Sequence, residues 1–252
     1  MKAITTLAAM CLTAHASAQD IGERQPAADR RARDAQSSPA LAPTLDYQTP
    51  TQQVDKFVRD IVLCGRQNKT TRWLALPRLE VTATSPALKG FVESSFASIT
   101  QATGLNTPGD GVLHVFVGTS RDFTALDIAK RRQLKMVGKD GCMFWQDKDH
   151  SLKEALVFLK DSPDQTEEFQ QHVLFHNLLA GFGFMKNSPQ FHDSTFGGNN
   201  TFDLKLSPLD NLLISFCYQH VPPAAQSSDV SKLLKLHWNK PAAGILPPAP
   251  AR

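Results

Sequence analysis

After residue 18 the chain has no apolar run approaching the roughly 18 residues that a membrane-crossing helix needs. It has no C-x-x-C pair, so nothing supports a zinc ribbon or a thioredoxin-type redox site. It has no G-x-S-x-G nucleophile elbow among its scattered serines. Gly181-Phe182-Gly183 lacks the third glycine of a dinucleotide fingerprint and follows a helical pattern where a strand is required. No internal repeat is visible. Charge of one sign is also scarce. The formal net charge is +3, and one of those charges is Lys2 in the leader. That balance makes no case for nucleic acid or an anionic membrane as partner. What is present is ordinary: 41% hydrophobic and 20% charged residues exclude a wholly disordered, collagenous or coiled-coil chain.

Residues 1–18 read as a secretory signal. Lys2 supplies the positive start, a short apolar stretch follows, and Ala16-Ser17-Ala18 is the small-residue cleavage pattern, so cleavage before Gln19 is expected. Met10 stands before Cys11 where a lipobox wants a small residue, so Cys11 reads as part of the apolar stretch. The mature protein is therefore expected to be exported, periplasmic or secreted, with no transmembrane segment. It keeps Cys64, Cys142 and Cys217. An oxidising compartment permits one disulfide and one leftover thiol, and three pairings are possible.

Residues 19–48 and 239–252 have almost no large apolar side chains and cannot bury enough surface to offset their ordering entropy. They read as a disordered spacer and a disordered tail around a folded unit over 49–238. Helix starts inside that unit are well signalled. Thr49-Pro50-Thr51-Gln52, Ser162-Pro163-Asp164-Gln165 and Ser207-Pro208-Leu209-Asp210 each pair a capping hydroxyl with a first-turn proline and a polar third residue. Ser85-Pro86 is a weaker version, and Gly65 and Gly104 mark helix ends. The pattern predicts helices over 50–64, 86–103, 163–182, 208–218 and 229–237. Apolar runs predict strands over 79–83, 112–118, 142–145 and 155–159, the last two forming a hairpin. The fold class is α+β, a small mixed sheet packed with a long central helix and further helices.

The stretch from Gln170 to Ser188, QQHVLFHNLLAGFGFMKNS, is nearly apolar all round from Val173 to Phe184, which reads as the buried part of that central helix. His172 and His176 share one of its faces, and Glu168 extends the stripe. Two registers can be set against the zinc-protease motif H-E-x-x-H. In one, His172 and His176 are the histidines and Val173 replaces the glutamate. In the other, His176 comes first, Asn177 replaces the glutamate and Ala180 replaces the second histidine. Neither register supplies the base that would deprotonate a metal-bound water and deliver its proton to a leaving amine. The plain reading is a pair of core or cleft-lining histidines. The sharper one is a metal held by His172 and His176 and completed by His192, Asp193 or Glu168.

Other signals carry less. Lys130-Arg131-Arg132 with Lys135 and Lys139 reads as a solvated basic face, with an anionic polymer or membrane surface as its functional counterpart. Asn68-Lys69-Thr70 and Asn199-Asn200-Thr201 match a glycosylation pattern, which means little if the host is bacterial. The irregular stretch over 191–202 follows the central helix directly. Loops placed this way on a rigid scaffold often carry binding function, and this one would bring His192 and Asp193 toward His176.

Several short motifs resemble a known family. Arg72, Trp73, Pro77 and the strand at Leu79–Val81, then Ala180–Phe184, Ser194-Thr195-Phe196, and Leu209–Tyr218 are similar to motifs of the bacterial domain-of-unknown-function family 2927. The resemblance spans about 50–237 and implies an exported protein with a degenerate zincin-like metalloprotease fold. The family's consecutive acids and later glutamine on the central helix are replaced here by His176, Asn177 and Ala180. Gln219-His220-Val221-Pro222 replaces its acidic-proline step. The reading is a zincin-like protein without the protease residues, with no cofactor, that binds a peptide, a cell-wall fragment or a protein partner. Its groove candidates are Glu168, His172, His176, Asn177, His192 and Asp193. The alternative is a divergent metallohydrolase with zinc on His172, His176 and His192.

Overall fold

The structure, a computed structural model, describes residues 52–63, 68–191, 194–197 and 204–238. The expected leader, spacer and tail lie outside these residues, as do Thr49-Pro50-Thr51, Cys64, Gly65, His192 and Asp193. The elements run α1 (Gln52–Val62), β1 (Leu76–Ala83), α2 (Pro86–Thr103), β2 (Pro108–Gly118), α3 (Ser120–Ala125), α4 (Asp127–Arg132), β3 (Asp140–Gln146), β4 (Leu152–Lys160), α5 (Glu167–Gly181), α6 (Pro208–His220) and α7 (Ser227–His237). One mixed sheet has the order β1-β2-β4-β3. β1 and β2 pair in parallel, as do β2 and β4, while β3 and β4 form the antiparallel hairpin.

Alternation along the strands divides the sheet into two unequal faces. Leu113, Val115 and Val117 of β2 and Ala155, Val157 and Leu159 of β4 enter the main core. That core also takes Phe57 and Ile61 of α1, Val92 and Ile99 of α2, Leu174 and Leu178 of α5, Leu213 and Ile214 of α6, and Val230 and Leu234 of α7. Phe116 of β2 and Leu156 and Phe158 of β4 point the other way. There α3 and α4 close a second core with Phe123, Ile128 and Ala129. Each fully buried Phe or Leu contributes about 1.5–3 kcal/mol through burial.

Local chemistry explains most boundaries. Ser85 caps α2 by accepting from Ala87 and Leu88, Pro86 fills the first turn, and Gly104 ends the helix at φ 73°, a left-handed geometry that favours glycine. Ser207 and Asp210 form a reciprocal capping box on α6. The central helix begins later than its proline suggested. Residues 162–165 make only a single turn, with the Gln165 amide bonded to the Ser162 carbonyl, and Thr166 caps α5 by accepting from Phe169. Threonine there, followed by Glu167 and Glu168 in the first turn, sets a second and better-charged start. The strands extend beyond their apolar runs: β2 starts at Pro108, paired with Leu76, and β4 starts at Leu152, with Glu154 paired to Val112. Of the basic run before β3, Lys130-Arg131-Arg132 ends α4, and Lys135 and Lys139 lie in the connection to β3.

Candidate functional site

The structure brings His172 and His176 together. Their rings lie 4.6 Å apart on α5, both half-buried. Gly181 sets the helix orientation: a Cβ there would sit 3.0 Å from Leu113 Cδ1 and 3.5 Å from Val157 Cγ2, so this side of α5 lies on the sheet. At about 100° per residue, the histidine stripe is roughly half a turn round from that side. Asn177 is on the sheet side instead. It is buried, and its Nδ2 donates to Asp140 Oδ1 at 3.3 Å, linking α5 to the start of β3. Glu168 is exposed in the first turn. Among the described residues no three His, Cys, Asp or Glu side chains converge to hold a metal ion. A zinc site needs at least three protein ligands, and α5 offers the two histidines. His192 and Asp193 lie outside the described residues.

The described part of the 191–202 stretch is held at α6. Ser194 Oγ donates to Asp210 Oδ1 at 2.5 Å, and the amides of Thr195 and Ser207 donate to Asp210 Oδ2 at 3.0 and 2.8 Å. The Ser188 amide bonds to the Phe196 carbonyl at 2.7 Å. The other family-like motifs close on the end of α5. Trp73 Nε1 donates to the Gly181 carbonyl at 2.9 Å, and the Tyr218 hydroxyl donates to the Phe182 carbonyl at 2.9 Å. Arg72 donates to the carbonyls of Cys217 and Tyr218 and lies over the Tyr218 ring at 5.8 Å. Burial lowers the Arg72 pKa and raises that of the Cys217 thiol. Cys142 and Cys217 are both buried and are not bridged to each other.

A second polar cluster was not anticipated from the sequence. Glu154 projects from β4 onto the second face of the sheet with its side chain 10% exposed. Arg131 NH2 donates to Glu154 Oε1 at 2.6 Å, Arg132 NH2 to Oε2 at 2.8 Å, and His114 Nε2 lies 3.3 Å from Oε1. His114 Nδ1 lies 2.9 Å from Glu80, which also pairs with Arg78. Arg132 stacks over the Trp145 ring at 4.8 Å. Burial alone would raise the Glu154 pKa, but hydrogen bonds from His114, Arg131 and Arg132 hold it far below the usual carboxylate range. A carboxylate so fully paired has no proton to donate at neutral pH, and its role is to anchor α4 on the sheet. The available signal was a glutamate opening an apolar strand some twenty residues after an arginine pair. Two of the five basic side chains in that run are thus taken up by one buried acid, while Lys135 and Lys139 stay exposed.

Compared with known proteins, the chain matches no family model, no curated protein and no solved structure. No helix among the described residues is long and apolar enough to cross a membrane.

Proposed function

We propose that the protein is exported and acts in the cell envelope, periplasmic or secreted, as a binding or scaffolding protein. On this reading it has a zincin-like fold without the protease residues and is a diverged relative of the family 2927 that it resembles. The hydrogen bond from Asn177 to Asp140 carries the reading. It commits the side chain at the base position of the second register to the sheet, away from the histidine stripe. In the first register the base position is Val173, which has no proton acceptor.

The partner that suits this arrangement is an extended peptide. β3 pairs with β4 on one side and with no strand on the other among the described residues. An extended chain adds to such an edge through backbone hydrogen bonds. The partly exposed Phe169 sits in the first turn of α5, which packs on β3, and would supply a side-chain contact, whereas the histidine stripe lies on the far side of α5 from the sheet.

The test takes the purified mature protein. It should bind members of an immobilised peptide array, less so as the Phe169→Ala variant. It should show no turnover in a broad peptide-hydrolysis screen, with or without added zinc. The close approach of the two histidine rings favours a second reading, a metallohydrolase with zinc on His172, His176 and His192. Stoichiometric metal and turnover, both lost in His172→Ala and His176→Ala variants, would overturn the first reading in favour of the second.

A further inference from the structure

Two histidines 17 positions apart meet at the C-terminal ends of α6 and α7. His220 ends α6 and His237 ends α7. Their rings stack 4.3 Å apart with planes 6° from parallel. Beside them Phe216 packs edge-on against Trp238 at 5.4 Å and faces His220 at 6.0 Å. Val230, Leu234 and Trp238 are almost completely buried, and α7 packs on α1 and α6. The stack therefore sits at the seam by which α7 is attached.

Parallel rings at this distance suit two neutral imidazoles or one charged ring over a neutral one. Two imidazolium ions repel, and among the described residues no carboxylate pairs with either ring. On α6 the acid is Asp210, at the opposite end of the helix. On α7, Asp229 is in the first turn, and the other charges are Lys232 and Lys235. On α1, Asp55 pairs with Arg59 and Asp60 with Lys56, and Arg59 reaches Ser227 at the far end of α7. On α2, Lys89 and Glu93 pair near its start, whereas its other end, at Gly104, lies beside Gln219. Burial and the neighbouring His237 both lower the His220 pKa, and no carboxylate contributes to it.

We propose that the His220–His237 stack is an acid-sensitive clasp, which near neutral pH holds α7 against α1 and α6 and on protonation of both rings releases it. Release uncovers the apolar seam of Phe216, Val230, Leu234 and Trp238. The sign follows from linkage. His220 takes its proton less readily with the stack closed than with α7 released, so the released form binds more protons and acid favours it. Opening begins as pH falls through the ordinary histidine value of about 6.5, and each further pH unit raises the opening constant about tenfold per extra proton bound. The C-terminal ends of both helices favour a cation. One proton is therefore tolerated, and the second opens the clasp.

The experiment is amide hydrogen exchange on the mature chain between pH 7.5 and 5.0, corrected for intrinsic exchange. Protection over 227–238 should fall at least tenfold more than protection in β2 and β4. The variant His237→Phe keeps a flat ring in the stack and removes one charge, so its protection there should fall less steeply with pH, leaving only the part due to burial of His220. Uniform protection in the unsubstituted chain, or equal acid opening in His237→Phe, would overturn the clasp. If that variant fails to fold, the His220 ring titration in His237→Gln decides. A midpoint raised toward the ordinary value supports the clasp, and an unchanged one overturns it.

Discussion

Asp210 has no exposed surface, and three donors from two segments meet on its carboxyl group. It caps α6 and fastens Ser194 and Thr195 to that helix. Asp210→Ala would strand a buried amide, a part-buried amide and a buried hydroxyl, at a cost of about 3–5 kcal/mol. Denaturant unfolding should show the loss as a lower midpoint with an unchanged slope. Gly183 is as constrained by geometry as Asp210 is by bonding. Its φ is 97°, and a Cβ would lie 2.2 Å from the Thr71 carbonyl oxygen. Gly183→Ala must move the backbone between α5 and the Thr71 segment, which should cost about 3 kcal/mol. Differential scanning calorimetry of that variant beside Gly90→Ala checks the claim. Gly90 has open space around it and is exposed in the second turn of α2, where alanine should be neutral or stabilising.

Among the elements, α4 depends most on a single partner. Glu154→Gln keeps the shape and removes the charge facing Arg131, Arg132 and His114, and it should cost about 3 kcal/mol in chemical denaturation. The pH dependence has a definite sign. The folded Glu154 pKa is depressed below its ordinary value of 4.5, so its stabilisation is fully present above that value and is lost as pH falls below it. The acid limb of stability in the unsubstituted chain should therefore be steeper than in Glu154→Gln when unfolding is followed from pH 6 to 3. Elements whose ends have local chemistry were legible in the sequence: Ser85, Pro86 and Gly104 bracket α2, and Ser207 with Asp210 starts α6. The start of α5 was misplaced because Ser162-Pro163 and Thr166 are competing caps four residues apart, and only packing chooses between them. The Glu154 cluster was illegible because its members come from β1, β2, α4 and β4. The histidine pair was visible through its i,i+4 spacing, but the turn of Asn177 toward Asp140 depends on how α5 lies on β3.

For the molecule as a whole, the class was legible and the sheet order was not. The apolar runs predicted four strands, yet a run buried on one face reads the same whether its neighbour is parallel or antiparallel. The lack of large apolar residues over 19–48 and 239–252 yields a further expectation. A chain cut to 49–238 should unfold at nearly the same temperature as the mature one, because the removed segments have little burial energy to contribute. A midpoint several degrees lower, read by circular dichroism, would show that one of them docks on the core. On the proposed export, intact mass of the protein recovered from its host should place the first residue at Gln19, and a diacylglyceryl mass on Cys11 would contradict that.

The chain has three tryptophans, and the fold gives each a different neighbourhood. Trp73 lies in the main core, bonded to the last carbonyl of α5. Trp145 lies in the second core beneath the Arg132 guanidinium. Trp238 lies against Phe216 where α7 ends. Intrinsic fluorescence is therefore already a three-channel reporter, and pairwise Trp→Phe replacement would isolate one channel at a time. Light emitted from one position would follow the closing of the core, from another the seating of α4, and from the third the attachment of the last helix, with no dye added to the protein.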